Sequence, residues 1–285
     1  MRTYDNILNR IANTLMVYAY HLEDNGLMSG KTGVMLSLYL YARHSGSKTV
    51  YDFAGDLLDG LMKNSAGAPS SFENGLCGLA WCVGRLMRGG IIGGTPSKVL
   101  APIDARLVDA MRHGAWSDTW NELLFFADRL SDRSSVFSGS RHDGIDMILP
   151  FLLWQIKDKK IVLSDSKRRA VLHYLSRYEA IKGVDVISRQ FKGLTGTFPV
   201  LKPEMKRTYR NTAINHKEDI INNFIQTKWY QCLFDKKIVF EMPEDALLLG
   251  FVEDRQKSIV PEKLALSDGL AGLGTALLIN LITNK

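Results

Sequence analysis

The sequence predicts an all-α protein: an α/α toroid of inner and outer helices in one domain, residues 1–285. Three observations lead there. A Gly-x-x-Gly turn recurs at Gly30 to Gly33, Gly75 to Gly78, Gly193 to Gly196 and Gly269 to Gly272, with a weaker copy at Asp143-Gly144-Ile145-Asp146. Repetition of this kind outranks any local signal in a first reading. Each turn opens a segment that is apolar nearly all round, such as Val34-Met35-Leu36-Ser37-Leu38-Tyr39-Leu40, and a helix of that composition must be buried on every side. The segments between the turns carry one apolar stripe each, and Lys237-Ile238-Val239-Phe240 is the one fair strand candidate. A closed double ring accommodates both kinds of helix. The successive turn glycines 30, 75, 144, 193 and 269 are spaced by 45, 69, 49 and 76 residues, too unevenly for a consensus solenoid and suited to a toroid with insertions.

In chain order, Ile7, Leu8, Ile11, Leu15, Tyr18 and Leu22 place a one-sided helix over 4–22. Residues 31–43 read as a buried helix, 48–63 as an outer one on Val50, Phe53, Leu57, Leu58 and Leu61, and 76–88 as buried again. Four glycines and two prolines between Gly89 and Pro102 predict a loop. Amphipathic helices follow over 103–113 and 117–131, with Ser117 as a cap and Trp116 and Trp120 as packing residues. Residues 147–154 form the helix of the weak turn. A basic amphipathic helix spans 164–181, capped by Ser164 or Ser166. Pro199 and Pro203 shorten the helix after Gly193. Asn215 with Glu218 resembles a capping box, and Ile220, Ile221, Phe224, Ile225, Trp229, Cys232 and Leu233 then form a clear stripe. Pro243 opens a helix through Leu249, and residues 270–282 close the chain with a buried helix.

Composition narrows the function classes. A chain with 46% hydrophobic and 23% charged residues is ordinary for a globular protein. No apolar run is long enough for a membrane span, and the N-terminus lacks a signal peptide, so a cytoplasmic location is expected. The three cysteines, Cys77, Cys82 and Cys232, read as free thiols. The net charge of +6 is concentrated in residues 157–210, where 14 Lys or Arg face 5 Asp or Glu. Nucleic acid would call for stacking aromatics interleaved with that charge, and the pattern is thin; a basic surface suited to an acidic peptide is the expectation. Gly30-Lys31-Thr32 ends like a phosphate loop, but Asn25 stands where that motif needs glycine and a helix stands where it needs a strand.

The phrases Leu27-Met28-Ser29-Gly30-Lys31-Thr32-Gly33, Phe72-Glu73-Asn74-Gly75-Leu76-Cys77-Gly78 and Leu266-Ser267-Asp268-Gly269-Leu270-Ala271-Gly272 resemble the repeat of the lanthionine synthetase C-like family. The resemblance implies an α/α toroid. It also implies zinc-dependent cyclisation, in which a cysteine thiol adds to a dehydrated Ser or Thr of a peptide. In such proteins zinc is held by a Cys of one turn and a Cys-His pair before the glycine of another, leaving one position for the substrate thiolate. Here the pairs before the turn glycines are Met28-Ser29, Glu73-Asn74, His142-Asp143, Phe191-Lys192 and Ser267-Asp268. None supplies the ligands, so the expectation is a member without zinc and without any other cofactor.

If the register of the repeat holds, the five turns converge on one rim. His142, Asp143, Glu73 and Asp268 are then the candidate catalytic acids and bases, because a helix start favours anions and lowers a histidine pKa. Ser29, Lys31, Asn74, Lys192 and Ser267 are the candidate substrate-binding residues. The plainer reading makes Glu73, Asn74, Asp143, Ser267 and Asp268 helix N-caps. The expected function is binding or processing of a peptide in natural-product maturation, with an acidic leader and a modifying enzyme as partners. Two alternatives stand beside it: a carbohydrate-active α/α-barrel enzyme using cavity carboxylates, and a non-catalytic peptide- or partner-binding subunit.

Overall fold

The structure, a computed structural model, describes residues 2–113, 120–130, 132, 145–158, 162–186, 189, 216–234 and 242–283. Among them all regular structure is helical, in thirteen α-helices. These are α1 (Arg2–Tyr18), α2 (Lys31–Ser45), α3 (Lys48–Lys63), α4 (Leu76–Arg88), α5 (Pro96–Val99), α6 (Ala101–Arg112), α7 (Glu122–Leu130), α8 (Ile145–Leu153), α9 (Asp165–Lys182), α10 (His216–Phe234), α11 (Asp245–Lys257), α12 (Pro261–Leu264) and α13 (Leu270–Thr283). The strand candidate at 237–240, the cap at Ser117, Trp116 and the turn at Gly193 lie outside the described residues. The chain divides into two compact units, Met1–Gly93 with Asn215–Lys285, and Gly94–Ile214.

In the first unit, α2, α4 and α13 are the helices that follow glycine turns, and they are buried on nearly all sides. Helix α2 lies against α3, α4 and α13, and α13 also against α1 and α10. Around them α1 buries a single stripe, Ile7, Leu8, Ile11 and Leu15, while Asn9, Asn13 and Val17 face outward. Arg10 Nη2 donates to Gln256 Oε1 at 2.8 Å and Gln256 Nε2 to Thr14 Oγ1 at 2.6 Å, tying α1 to α11. Local chemistry sets the ends of α2 and α3. Gly46 closes α2 at φ 72°, in the left-handed region that suits glycine, and the Ser47 hydroxyl accepts from the N–H of Val50 to cap α3.

Several boundaries depart from the sequence reading. The stretch read as a loop from Gly89 to Pro102 contains α5 and the start of α6, because Pro96 and Pro102 occupy first-turn positions, where a missing N–H costs nothing. Helix α11 begins after Pro243 and runs on to Lys257 rather than stopping at Leu249, since Leu248, Phe251 and Val252 continue its buried face. Trp120 is not helical: it precedes α7 with φ 57°, and Lys167 Nζ stands 5.6 Å from its ring.

In the second unit, α7 packs on α9. Helix α9 buries Ala170, Val171, Tyr174 and Leu175 on one side, is capped by the Ser164 hydroxyl and ends at Gly183 (φ 66°). Helix α7 was expected to be one-sided, yet all nine of its residues are buried, including Glu122, Asp128 and Arg129. The buried Arg129 guanidinium is itself paired. Its Nη2 and Nε reach both carboxylate oxygens of Asp104 on α6, at 2.5 and 3.2 Å, and its Nη1 reaches Asp132 at 2.9 Å. Burial pushes the Asp104 carboxyl up to about 6, against the pull of Arg129.

Candidate functional site

Three of the five glycine turns, Gly30 to Gly33, Gly75 to Gly78 and Gly269 to Gly272, fall in the first unit, and they share one geometry. A side chain on the second glycine of each would collide with the carbonyl six residues earlier. The distance from an ideal Cβ is 2.2 Å for Gly33 and Leu27 O, 2.0 Å for Gly78 and Phe72 O, and 2.3 Å for Gly272 and Leu266 O. Only glycine lets the chain fold back this closely.

The turns also hold one another by a repeated set of contacts. The N–H groups of Leu27 and Met28 donate to Glu73 O at 2.7 and 3.0 Å, and those of Leu266 and Ser267 donate to Met28 O at 2.9 and 3.2 Å. Relative to the turn glycine, the same two donors meet the same acceptor in both pairs. Apolar packing follows the same rule: Leu27 Cβ is 2.9 Å from the Cβ position of Gly78, and Leu266 Cβ is 2.8 Å from that of Gly33. The order is therefore third turn, first turn, second turn, matching the helix order α13, α2, α4.

Polar side chains fill the exposed side of this junction. Asp24 Oδ1 accepts from the N–H of Gly26 at 2.7 Å, and Asp24 Oδ2 accepts from the Ser29 hydroxyl. Ser29 Oγ also lies 3.3 Å from Asn74 Oδ1, so the structure brings these two predicted binding residues together across the first and second turns. In the third turn Ser267 Oγ donates to Asp268 Oδ1 at 2.8 Å. Arg255 Nη2 donates to Glu218 Oε1 at 2.5 Å and reaches Asp268 O at 3.5 Å, joining that turn to α10 and α11. Lys31 begins α2, its N–H on Asp24 O at 2.9 Å. Glu73 acts in the interlock through its backbone carbonyl. His142, Asp143 and Lys192 lie outside the described residues.

The capping roles expected for Glu73 and Asn74 are not what the structure shows. Gly75 occupies the N-cap of α4, as Gly30 does that of α2, both with extended backbone and no side-chain cap. The turn above each helix supplies backbone carbonyls instead: Lys31 donates to Asp24 O and Leu76 to Pro69 O at 2.8 Å. Asp24, Arg255 and the Met28 carbonyl were missed in the sequence. Asp24-Asn25-Gly26 did carry a signal, since Asp commonly bonds to the backbone N–H two residues on.

Chemically, this face presents carboxylates whose remaining lone pairs can accept from N–H donors of a bound chain. Beside it, Asn25, Asn64, Asn74, Leu76 and Leu79 line a cleft of about 20 Å³, room for one ordered water. Among the described residues no three His, Cys, Asp or Glu gather as metal ligands. Cys82 is buried, and burial, with a smaller contribution from Cys232, pushes its thiol well above the usual range, the opposite of what a metal-binding thiolate needs. Compared with family profiles, curated proteins and solved structures, the chain matches none of them.

Proposed function

We propose that this chain is a divergent, zinc-free relative of the lanthionine synthetase C-like proteins that binds a peptide during natural-product maturation. Its glycine turns would be the inner-helix openings of an α/α toroid. The observation that carries the reading is the interlock itself, in which two successive pairs of turns repeat the same donors, acceptor and leucine-on-glycine contact. Nothing in an isolated helical hairpin requires that register; a repeating array of hairpins does, and the proposed toroid is one such array.

Binding is favoured over catalysis because Ser29 and Ser267 each donate to a carboxylate of their own turn. That use fixes the side chains and leaves acceptor oxygens outward. An acidic leader would engage the basic 157–210 sector, with a modifying enzyme acting on the bound peptide. The test is a titration of purified protein with a Glu/Asp-rich twenty-residue peptide and a Lys-rich one, beside metal analysis of the same preparation. Binding of the acidic peptide alone, weakened by salt and accompanied by no zinc, is the expected result. Stoichiometric zinc would assign a cyclase, and equal indifference to both peptides would remove the leader-binding reading.

A further inference from the structure

We propose that the interior of the first unit contains an anion site built around the ammonium of Lys228, which takes a compact carboxylate or phosphate group. Lys228 lies between Ile225 and Trp229 in the sequence of α10. The structure turns it inward: it is 2% exposed. At about 100° per residue, its side chain leaves the helix in the middle of the arc defined by the buried Phe224, Ile221, Ile225, Gln231 and Trp229. One flank of that arc is seated against α13 and α4. Ile225 Cγ2 is 3.0 Å from the Cβ position of Gly272 on α13, and the Trp229 ring packs edge-on against Trp81 of α4 at 5.5 Å.

Among the described residues no counterion accompanies the buried charge. Burial alone accounts for the downward shift of the Lys228 pKa, with no carboxylate contributing. Its Nζ stands 5.9 Å from the centre of the Phe224 ring. Less than one turn along α10, Gln231 Oε1 is also buried without a hydrogen-bond partner among the described residues, its residue 8% exposed. Folded chains pair their buried polar groups, and a buried ammonium without a partner is among the costlier exceptions. One bound group would answer both: an anion receives the ammonium, and a hydroxyl or amine beside it gives Gln231 Oε1 a donor. The inference does not depend on the peptide reading of the turns.

The experiment is thermal unfolding of the full chain and of Lys228→Met and Lys228→Gln. Each is measured at pH 7 in sodium acetate, sodium phosphate and sodium chloride of matched ionic strength. Methionine fills the volume of the lysine stem, and far-UV circular dichroism confirms that both variants fold. The wild type is expected to melt a few degrees higher in acetate or in phosphate than in chloride. Both variants should lose that increment, and whichever anion acts names the group. As pH rises and the amine loses its proton, the wild-type increment should fade. An anion increment of equal size in all three proteins, or none in the wild type, overturns the proposal. Lys228→Met melting higher than wild type in every buffer, with no anion effect, would identify an uncompensated buried charge instead.

Discussion

Leu27 of the first glycine turn rests against Gly78 of the second, its Cβ 2.9 Å from where a side chain on that glycine would begin. The same position is 2.0 Å from Phe72 O, and backbone cannot retreat as a flexible side chain can. Gly78→Ala is therefore expected to lower unfolding stability by about 1–3 kcal/mol or more. Gly60→Ala, in α3 with open space around its Cβ position, should raise stability by about 0.5–1 kcal/mol. Urea unfolding midpoints of the two variants would show the opposite signs.

The Asp104 carboxyl sets a pH dependence in the second unit. Its folded pKa, about 6, lies above the ordinary 3.8, so the native state binds more protons than the unfolded state between those values. Its contribution to stability accordingly grows as pH falls through 6 and levels off below about 4. Relative to Asp104→Asn, the wild type should gain up to about 1.4 kcal/mol per pH unit across that window. A gap that narrows on acidification would mean that Arg129 outweighs burial.

Ser29 and Asn74 join two turns through a single contact of 3.3 Å. A double-mutant cycle with Ser29→Ala and Asn74→Ala should give a coupling of about 0.5–1 kcal/mol. Asp24→Ala should cost more than Ser29→Ala, because it also removes the acceptor of the Gly26 N–H. Near-zero coupling would leave the interlock to the backbone alone.

Thiol reactivity should follow burial. Cys77 and Cys82 are buried and Cys232 is half-buried, so alkylation of the native protein at pH 8 should mark Cys232 first, with Cys82 modified only on unfolding. Mass spectrometry of the digested protein resolves the three sites.

Much of this fold was legible because it is written in side-chain periodicity and turn chemistry. The ends of α3 and α4 fall where Ser47 and Gly75 mark them, and the all-round apolar character of α2, α4 and α13 correctly announced burial. What escaped is carried by groups with no sequence signature. The interlock runs through the carbonyls of Met28 and Glu73, and any residue has a carbonyl. Arg129 finds Asp104 25 residues away, a pairing that no local pattern encodes. Lys228, Thr227 and Gln231 stand outside the apolar stripe read from the sequence, yet the tertiary packing of α10 buries them with Trp229 and Ile225. The prolines at 96 and 102 read as loop residues because composition alone does not separate a helix breaker from a helix starter.

The three turns form one interlocked structure, and amide hydrogen exchange tests that interlock most directly. Leu27, Met28, Leu266 and Ser267 all donate across turns, so their amides should exchange slowly and to a common degree despite lying outside helices. Gly78→Ala should lower protection at Leu27 and Met28 as well as in its own turn. Exchange of those four amides at the rate of an open loop, or an effect of Gly78→Ala confined to the second turn, would contradict the account.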